Sequence, residues 1–145
     1  MTPASLLALA ERLALGTDDT DWRSAVSRAY YAAFHVARQL MEQCGFAVPR
    51  ADRAHRYLSD WLSNCGHRPT IQAGQWLEQL RGHRNEADYD LWLSLHRSDV
   101  EDHVSQAERI VLALEAAGAD AVLRAAITLA MRAYEAGRGE STWRA

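Results

Sequence analysis

Apolar residues recur along this chain at steps of three and four, the spacing that places side chains on one face of an α-helix. No run of β-branched residues alternates with polar residues between turn signals, as a half-buried strand would require. The pattern therefore favours an all-α fold. With 145 residues, 48% of them hydrophobic, the chain can bury one core without disulfides or metals. We expect one domain over residues 1–137, an antiparallel bundle of four to five main helices plus a C-terminal helix, and a flexible tail at residues 138–145.

Proline, glycine and cap residues divide the pattern into six predicted helices. The first helix covers residues 3–15, the second begins within residues 17–21 and ends before Gly45, and the third covers residues 51–64. The fourth begins after Pro69, the fifth begins with a capping box at residues 98–101 and ends at Gly118, and the sixth covers residues 120–136. The second helix has an apolar stripe and, on another side, the aromatic residues Tyr30, Tyr31 and Phe34. A helix that is apolar on more than one side is usually central in its bundle.

Several function classes lack their signatures here. The chain has no P-loop, dinucleotide fingerprint, H-E-x-x-H motif, nucleophile elbow or calcium loop. Its six histidines are scattered, and Cys44 and Cys65 have no C-x-x-C partner, so we expect no metal and no cofactor. No apolar run is long enough for a membrane span, and the N-terminus lacks the layout of a signal peptide. We expect a cytoplasmic protein without membrane contact.

The net charge of −3 is unevenly distributed along the chain. Residues 50–84 carry six arginines against three acids, whereas residues 85–120 carry nine acids against two arginines. Such polarity could steer a phosphate-bearing ligand to one face and a basic partner or a second copy to another. Two ordinary solvated helix faces would give the same distribution.

The most informative stretch is residues 81–89, at the end of the fourth helix. Arg84 continues the apolar stripe of that helix and so faces inward, where a guanidinium is costly unless it is paired. Asp88, four residues on, is its natural partner if the helix continues. The spacing leaves two interpretations open. One is a buried Arg84–Asp88 pair that ties this helix to Ser27 or Tyr31 of the second helix; the other is an arginine held ready for a phosphate.

Three blocks of the sequence together resemble the small bacterial branch of the HEPN superfamily, the higher eukaryote and prokaryote nucleotide-binding domains. The blocks are SRAYYAAF at residues 27–34, Ala54 with His55, and RNEADY at residues 84–89. The resemblance covers roughly residues 6–114. It implies a helical bundle that is usually dimeric.

In that superfamily, catalytic members cleave RNA without metal through an R-x(4-6)-H motif, and two copies face each other across the dimer cleft. Arg84 matches the motif arginine and Asn85 its polar neighbour. Tyr89 stands where the first allowed histidine would come, and His96 lies too far along to fit the motif. The sequence therefore matches half of the catalytic motif.

Metal-free RNA cleavage needs one group to take the 2'-hydroxyl proton and another to protonate the leaving oxygen, which works best at a pKa of about 7. Histidine suits this task, whereas a tyrosine side chain, with an ordinary pKa of about 10, is a poor base at neutral pH. An arginine could stabilise the phosphorane-like charge. His55 could supply the missing imidazole, or it could be a structural histidine at a helix contact. The candidate catalytic residues are Arg84, Tyr89 and His55; the candidate ligand contacts are Arg84, Asn85, Asp88, Ser27 and Tyr31.

The leading hypothesis is a HEPN-fold accessory or toxin-antitoxin-type protein. In it, a homodimer contacts RNA or a nucleotide through Arg84 and acts with a partner such as a nucleotidyltransferase or a defence effector. An active, metal-independent ribonuclease and a purely structural adaptor are the alternatives.

Overall fold

The described residues form six α-helices. A computed structural model describes residues 1–144; Ala145, the last residue of the expected tail, lies outside the described residues. The helices are α1 (Pro3–Ala14), α2 (Asp19–Gln43), α3 (Arg53–Ser63), α4 (Arg68–Tyr89), α5 (Arg97–Ala119) and α6 (Ala121–Gly137). The predicted all-α bundle with a further C-terminal helix is confirmed.

Helix α2 occupies the centre of the bundle. It packs against α1, α3, α4 and α5, while α6 packs only against α3 and α5. Its apolar stripe is buried, and on its aromatic side Tyr30 and Phe34 are buried while Tyr31 is half-buried. A helix with two apolar sides can satisfy both only by packing on several neighbours, which accounts for its central place.

Three of the six described helices, α1, α2 and α6, begin after an N-cap residue whose side chain accepts a backbone hydrogen bond. Asp18 accepts a hydrogen bond from the Asp21 amide at the start of α2, and Asp120 accepts from two amides at the start of α6. The capping box predicted at residues 98–101 is wrong. Helix α5 begins at Arg97 after the N-cap His96, two residues before the predicted N-cap Ser98, and the His96 side chain makes no cap hydrogen bond.

The segment after α6 contacts the main bundle. The Thr142 and Trp143 amides donate to the buried Glu135 carboxylate, and the Trp143 indole donates to the Cys44 carbonyl. The Arg144 amide donates to the Gly45 carbonyl at 2.7 Å. We expected a flexible tail at residues 138–145, and the described part of it has contacts that such a tail would lack.

Both cysteines are free and buried, in keeping with the small apolar role that their isolation predicts. Among the residues that the structure describes, no helix is both long and apolar enough to cross a membrane.

Candidate functional site

Arg84 lies on the buried face of α4, as its place on the apolar stripe predicts. The residue is 8% exposed. Its Nη1 lies 3.6 Å from Oδ2 of Asp88, and the Ser27 hydroxyl of α2 lies 3.5 Å from the same carboxylate oxygen. The local pair and its link to α2 are therefore both present, but each contact is long.

Two aromatic rings of α2 also lie near Arg84. Its guanidinium carbon lies 5.3 Å from the ring centre of Tyr30 and 5.4 Å from that of Tyr31, distances at which a cation is attracted to an aromatic ring. Its Nε is buried and has no hydrogen-bond partner among the described residues. A buried N–H without an acceptor is costly, so this guanidinium retains capacity for an additional anionic or polar partner.

A polar cavity of about 320 Å³ opens beside Arg84. We call it the Arg84 cavity. It brings together most of the residues that the sequence singles out, and its lining is Tyr31, Asp52, His55, Arg81, Arg84, Asn85 and Tyr89. Ser27 and Asp88 lie outside it; they line a neighbouring cavity together with Arg28 and Leu91. The candidate residues therefore meet from three helices, although they divide between two adjacent spaces.

His55 is held by a hydrogen bond between its Nδ1 and the Tyr30 hydroxyl. Burial lowers the pKa of His55 below its ordinary value, and the positive charges of Arg84 and Arg81 lower it further. Burial also raises the pKa of Tyr30, which keeps that phenol protonated. At neutral pH His55 is therefore a neutral imidazole on the wall of the cavity, the form that can accept a proton.

Tyr89 ends α4 at the rim of the Arg84 cavity. It is 69% exposed, and Leu91 and Trp92, which follow it, are 75% and 83% exposed. An exposed aromatic ring beside a cationic cavity can stack on a planar ligand.

Arg23 of α2 fixes the end of α4, and sequence reasoning missed it. Its guanidinium donates to the carbonyls of Ala87 at 3.0 Å and Asp90 at 3.1 Å, and also to those of Leu91 and Leu93. A helix end leaves its last carbonyls without partners, and Arg23 satisfies that of Ala87 together with those of three residues that follow the helix. The only sequence signal is Asp19 one turn earlier, which suggests an ordinary surface ion pair.

The described residues contain no group of three or more histidine, cysteine or carboxylate side chains that could hold a metal ion.

The HEPN domain family model matches residues 7–117, which is most of the chain. The chain belongs to the HEPN domain family. The matched residues run from α1 to α5 and include the Arg84 cavity, so the HEPN domain and the cavity coincide, while α6 and the segment after it lie outside the match. No curated protein and no solved structure shows a significant match to this chain.

Proposed function

We propose that this HEPN-domain protein binds the phosphate of an RNA or a nucleotide in the Arg84 cavity. The observation that carries the proposal is the state of Arg84: it is buried, its Nη1 lies 3.6 Å from the Asp88 carboxylate, and its Nε has no partner among the described residues. Arginine binds phosphate through paired N–H groups, and a guanidinium that is already buried loses little solvation or side-chain entropy on binding.

The other cavity residues suit the same ligand. Arg81 adds a second positive charge. Its Nη1 lies 3.4 Å from Oε2 of Glu78, whose side chain is 52% exposed, so this ion pair is partly screened by solvent. Asn85 can donate or accept a hydrogen bond, and the exposed Tyr89 ring can stack on a base. Asp52 is the one carboxylate in the lining, and it could accept a hydrogen bond from a sugar hydroxyl.

A purely structural role for Arg84 fits the contacts less well. A buried ion pair that serves only to lock helices together needs close geometry and complete hydrogen bonding to repay the cost of desolvation. Here the pair is long and the Nε is unsatisfied. These two features favour a guanidinium that can still bind a ligand over one whose role is only structural.

We also infer that the protein acts as a homodimer with a partner protein, in a toxin-antitoxin or defence system. Support comes from the HEPN membership and from Tyr89, Leu91 and Trp92, three large apolar side chains that are exposed within four residues at the end of α4, since a contiguous exposed apolar patch often marks an interaction surface. A nucleotidyltransferase or a defence effector is the partner that the resemblance implies. Light scattering on the wild type and on Trp92→Ala tests the dimer, and co-purification with the product of a neighbouring gene tests the partner.

Binding of adenosine monophosphate and of single-stranded RNA, measured by calorimetry, tests the phosphate site. Arg84→Gln and Asn85→Ala should both weaken binding, Arg84→Gln by about tenfold or more, because a hydrogen bond to a charged group contributes about 1.5–3 kcal/mol. Asn85→Ala changes a half-buried residue with no hydrogen bond among the described residues, so its fold should be intact. Arg12→Gln, an exposed change on α1, is the matched control. Absence of binding by the wild type, together with a sharply destabilised Arg84→Gln variant, would favour the structural adaptor.

A metal-independent ribonuclease is the second candidate, and the position of His55 favours it. A neutral imidazole that is oriented by Tyr30 lies in the same cavity as Arg84. His55 would take the 2'-hydroxyl proton as the 2'-oxygen bonds to phosphorus, and Arg84 would stabilise the charge that develops on the phosphate. The bond from phosphorus to the 5'-oxygen then breaks, and Tyr89 would protonate that oxygen. The products are a 2',3'-cyclic phosphate and a free 5'-hydroxyl.

A further inference from the structure

A second cleft, lined by both charged and aromatic side chains, lies on a neighbouring face of α3. It has a volume of about 210 Å³ and is formed by α3, Pro49 and the segment that follows α6. We call it the α3–α6 cleft. Its charged lining residues are Arg53, Arg56, Asp60, Arg138 and Glu140. Neither the HEPN match nor the proposed function gives it a role.

Positive charge exceeds negative charge in this cleft. Asp60 is shared, since it lies 3.4 Å from Arg56 and 3.7 Å from Arg138. Arg53 is exposed and has no carboxylate within 4.0 Å among the described residues. The cleft therefore has one uncompensated guanidinium and a second, Arg56, whose exposed pairing is weak.

The aromatic residues of the cleft, Tyr57 and Trp61, are buried, so neither ring is accessible to a ligand. Trp61 is 2% exposed and stacks on Tyr57 with ring centres 4.0 Å apart. The Arg138 guanidinium lies 5.4 Å from the Trp61 ring and also donates to the Tyr134 hydroxyl at 2.7 Å. A ring this buried cannot stack on a base, so the chemistry of the cleft suits a phosphate group and not a nucleobase.

Helix α3 connects this cleft to the Arg84 cavity. Asp52 and His55 line the Arg84 cavity, whereas Arg53 and Arg56 line the cleft. These four residues are the N-cap and the first turn of α3, so the two sites are separated by little more than the width of one helix. An extended polyanion that occupies one of them can therefore reach the other.

We propose that the α3–α6 cleft is a second phosphodiester site, which binds the RNA strand next to the phosphate held at Arg84. This inference rests on the proposed function for the identity of the ligand. It assigns the ligand as a single strand several nucleotides long, because a mononucleotide has no second phosphodiester group to place against Arg53 and Arg56. Two positively charged sites along one strand are also how single-strand binding proteins follow a nucleic acid backbone.

The test compares an oligonucleotide with a mononucleotide. The first probe is single-stranded RNA of about twelve nucleotides, within the span of about 4–16 that single-strand binding folds cover. The second is adenosine monophosphate. The variant is the double change Arg53→Gln with Arg56→Gln, and the control is Arg12→Gln with Arg109→Gln, the same loss of charge on α1 and α5, which do not contact α3. All four arginines are exposed, so the melting temperatures should agree.

In the double variant, RNA affinity should fall about tenfold or more while adenosine monophosphate binds as in the wild type. The slope of log affinity against log salt should also become shallower by about 1.4, since each contact to a single-strand phosphate contributes about 0.7. RNA affinity and slope equal to those of the control would overturn the second site while leaving the Arg84 site standing.

The remaining outcomes separate the two proposals. Loss of RNA binding in the Arg53 and Arg56 variant, with Arg84→Gln binding both probes normally, would refute the Arg84 site and retain the cleft. Wild-type protein that binds neither probe would refute both. An oligoglutamate of equal charge that binds as tightly as RNA, through the same two arginines, would show that the cleft takes an acidic protein and would overturn the RNA assignment.

Discussion

Nη1 of Arg84 lies 3.6 Å from Oδ2 of Asp88, close enough for attraction between the charges and too far for a good hydrogen bond. Arg84 is buried, whereas the Asp88 side chain is 30% exposed. The carboxylate can therefore be solvated without Arg84, and a phosphate could take its place beside the guanidinium. The Arg84–Asp88 pair is therefore partly screened by solvent, and it does not have the geometry of a buried ion pair that holds helices together.

Asp88→Asn should therefore lower the free energy of unfolding only slightly, by about 1 kcal/mol or less, as for exposed ion pairs. It should also strengthen binding of adenosine monophosphate, because a competing negative charge beside Arg84 is removed. Urea unfolding and calorimetry measure the two effects, with Glu86→Gln, an exposed change on the same helix, as the control. A loss of about 3–5 kcal/mol, the cost of breaking a buried pair, would contradict the prediction.

Arg23→Gln should be far more costly. The change removes donors from the buried carbonyl of Ala87 and from the partly buried carbonyls of Asp90, Leu91 and Leu93. We expect a loss of about 2–4 kcal/mol in the free energy of unfolding. The exposed Arg28→Gln should change it by no more than about 0.5 kcal/mol. Equal melting curves for the two variants would show that Arg23 does not hold the end of α4.

Acid should destabilise the protein below the ordinary histidine pKa of about 6.5. The His83 and His103 rings of α4 and α5 stack with centres 3.8 Å apart. Burial lowers the pKa of His103 and the neighbouring His83 lowers it further, against the opposing effect of Asp99 and Asp102. As the pH falls through about 6.5, the unfolded chain takes up a proton that the folded chain resists, so the free energy of unfolding falls.

Thermal unfolding at neutral and at mildly acidic pH measures this effect. His103→Gln should reduce the difference between the two conditions, and His96→Gln, an exposed change, should leave it as in the wild type. His55 shifts in the same direction, so part of the difference should persist in His103→Gln. A wild-type melting temperature that rises on acidification would refute the assignment.

The sequence predicts local features of the fold and site well, because helical spacing alone determines them. Arg84 continues a stripe of period 3.6, so its burial and its approach to Asp88 follow from position. Other contacts join residues that are far apart in the chain. Tyr30 shares a hydrogen bond with His55, and Arg23 donates to the Ala87 carbonyl near the end of α4. No periodic signal reports such contacts, since they depend on how three helices approach one another.

The contacts of the segment after α6 could not be predicted from the sequence either. Gly137 suggests a frayed segment after α6. The contacts of this segment depend on Glu135, which is buried, whereas glutamate side chains are usually exposed. Hydrogen bonds from Thr142, Trp143 and Trp61 compensate that burial and hold its pKa below the ordinary value, although burial by itself would raise it.

If the protein is a ribonuclease, His55 is the residue whose chemistry can be tested most directly. Wild-type protein incubated with mixed RNA and a metal chelator should yield products ending in 2',3'-cyclic phosphate. His55→Asn should lower the rate by about 10²–10⁴-fold, the usual contribution of a general base, and Arg84→Gln should lower it as well. His96→Gln should cleave at the wild-type rate. Cleavage by His55→Asn at that rate would exclude His55, and absence of cleavage by the wild type would leave ligand binding as the function.

The pH dependence distinguishes a base from a structural histidine. Because burial and the two arginines lower the pKa of His55, the cleavage rate should rise with pH through a value below about 6.5. Tyr30→Phe removes the hydroxyl that holds Nδ1 and keeps the ring that packs in the core. If Tyr30 orients His55 for proton transfer, this variant should retain adenosine monophosphate binding, lose rate and show a shifted pH profile. A Tyr30→Phe variant with an unchanged profile would mean that the imidazole acts without that hydrogen bond.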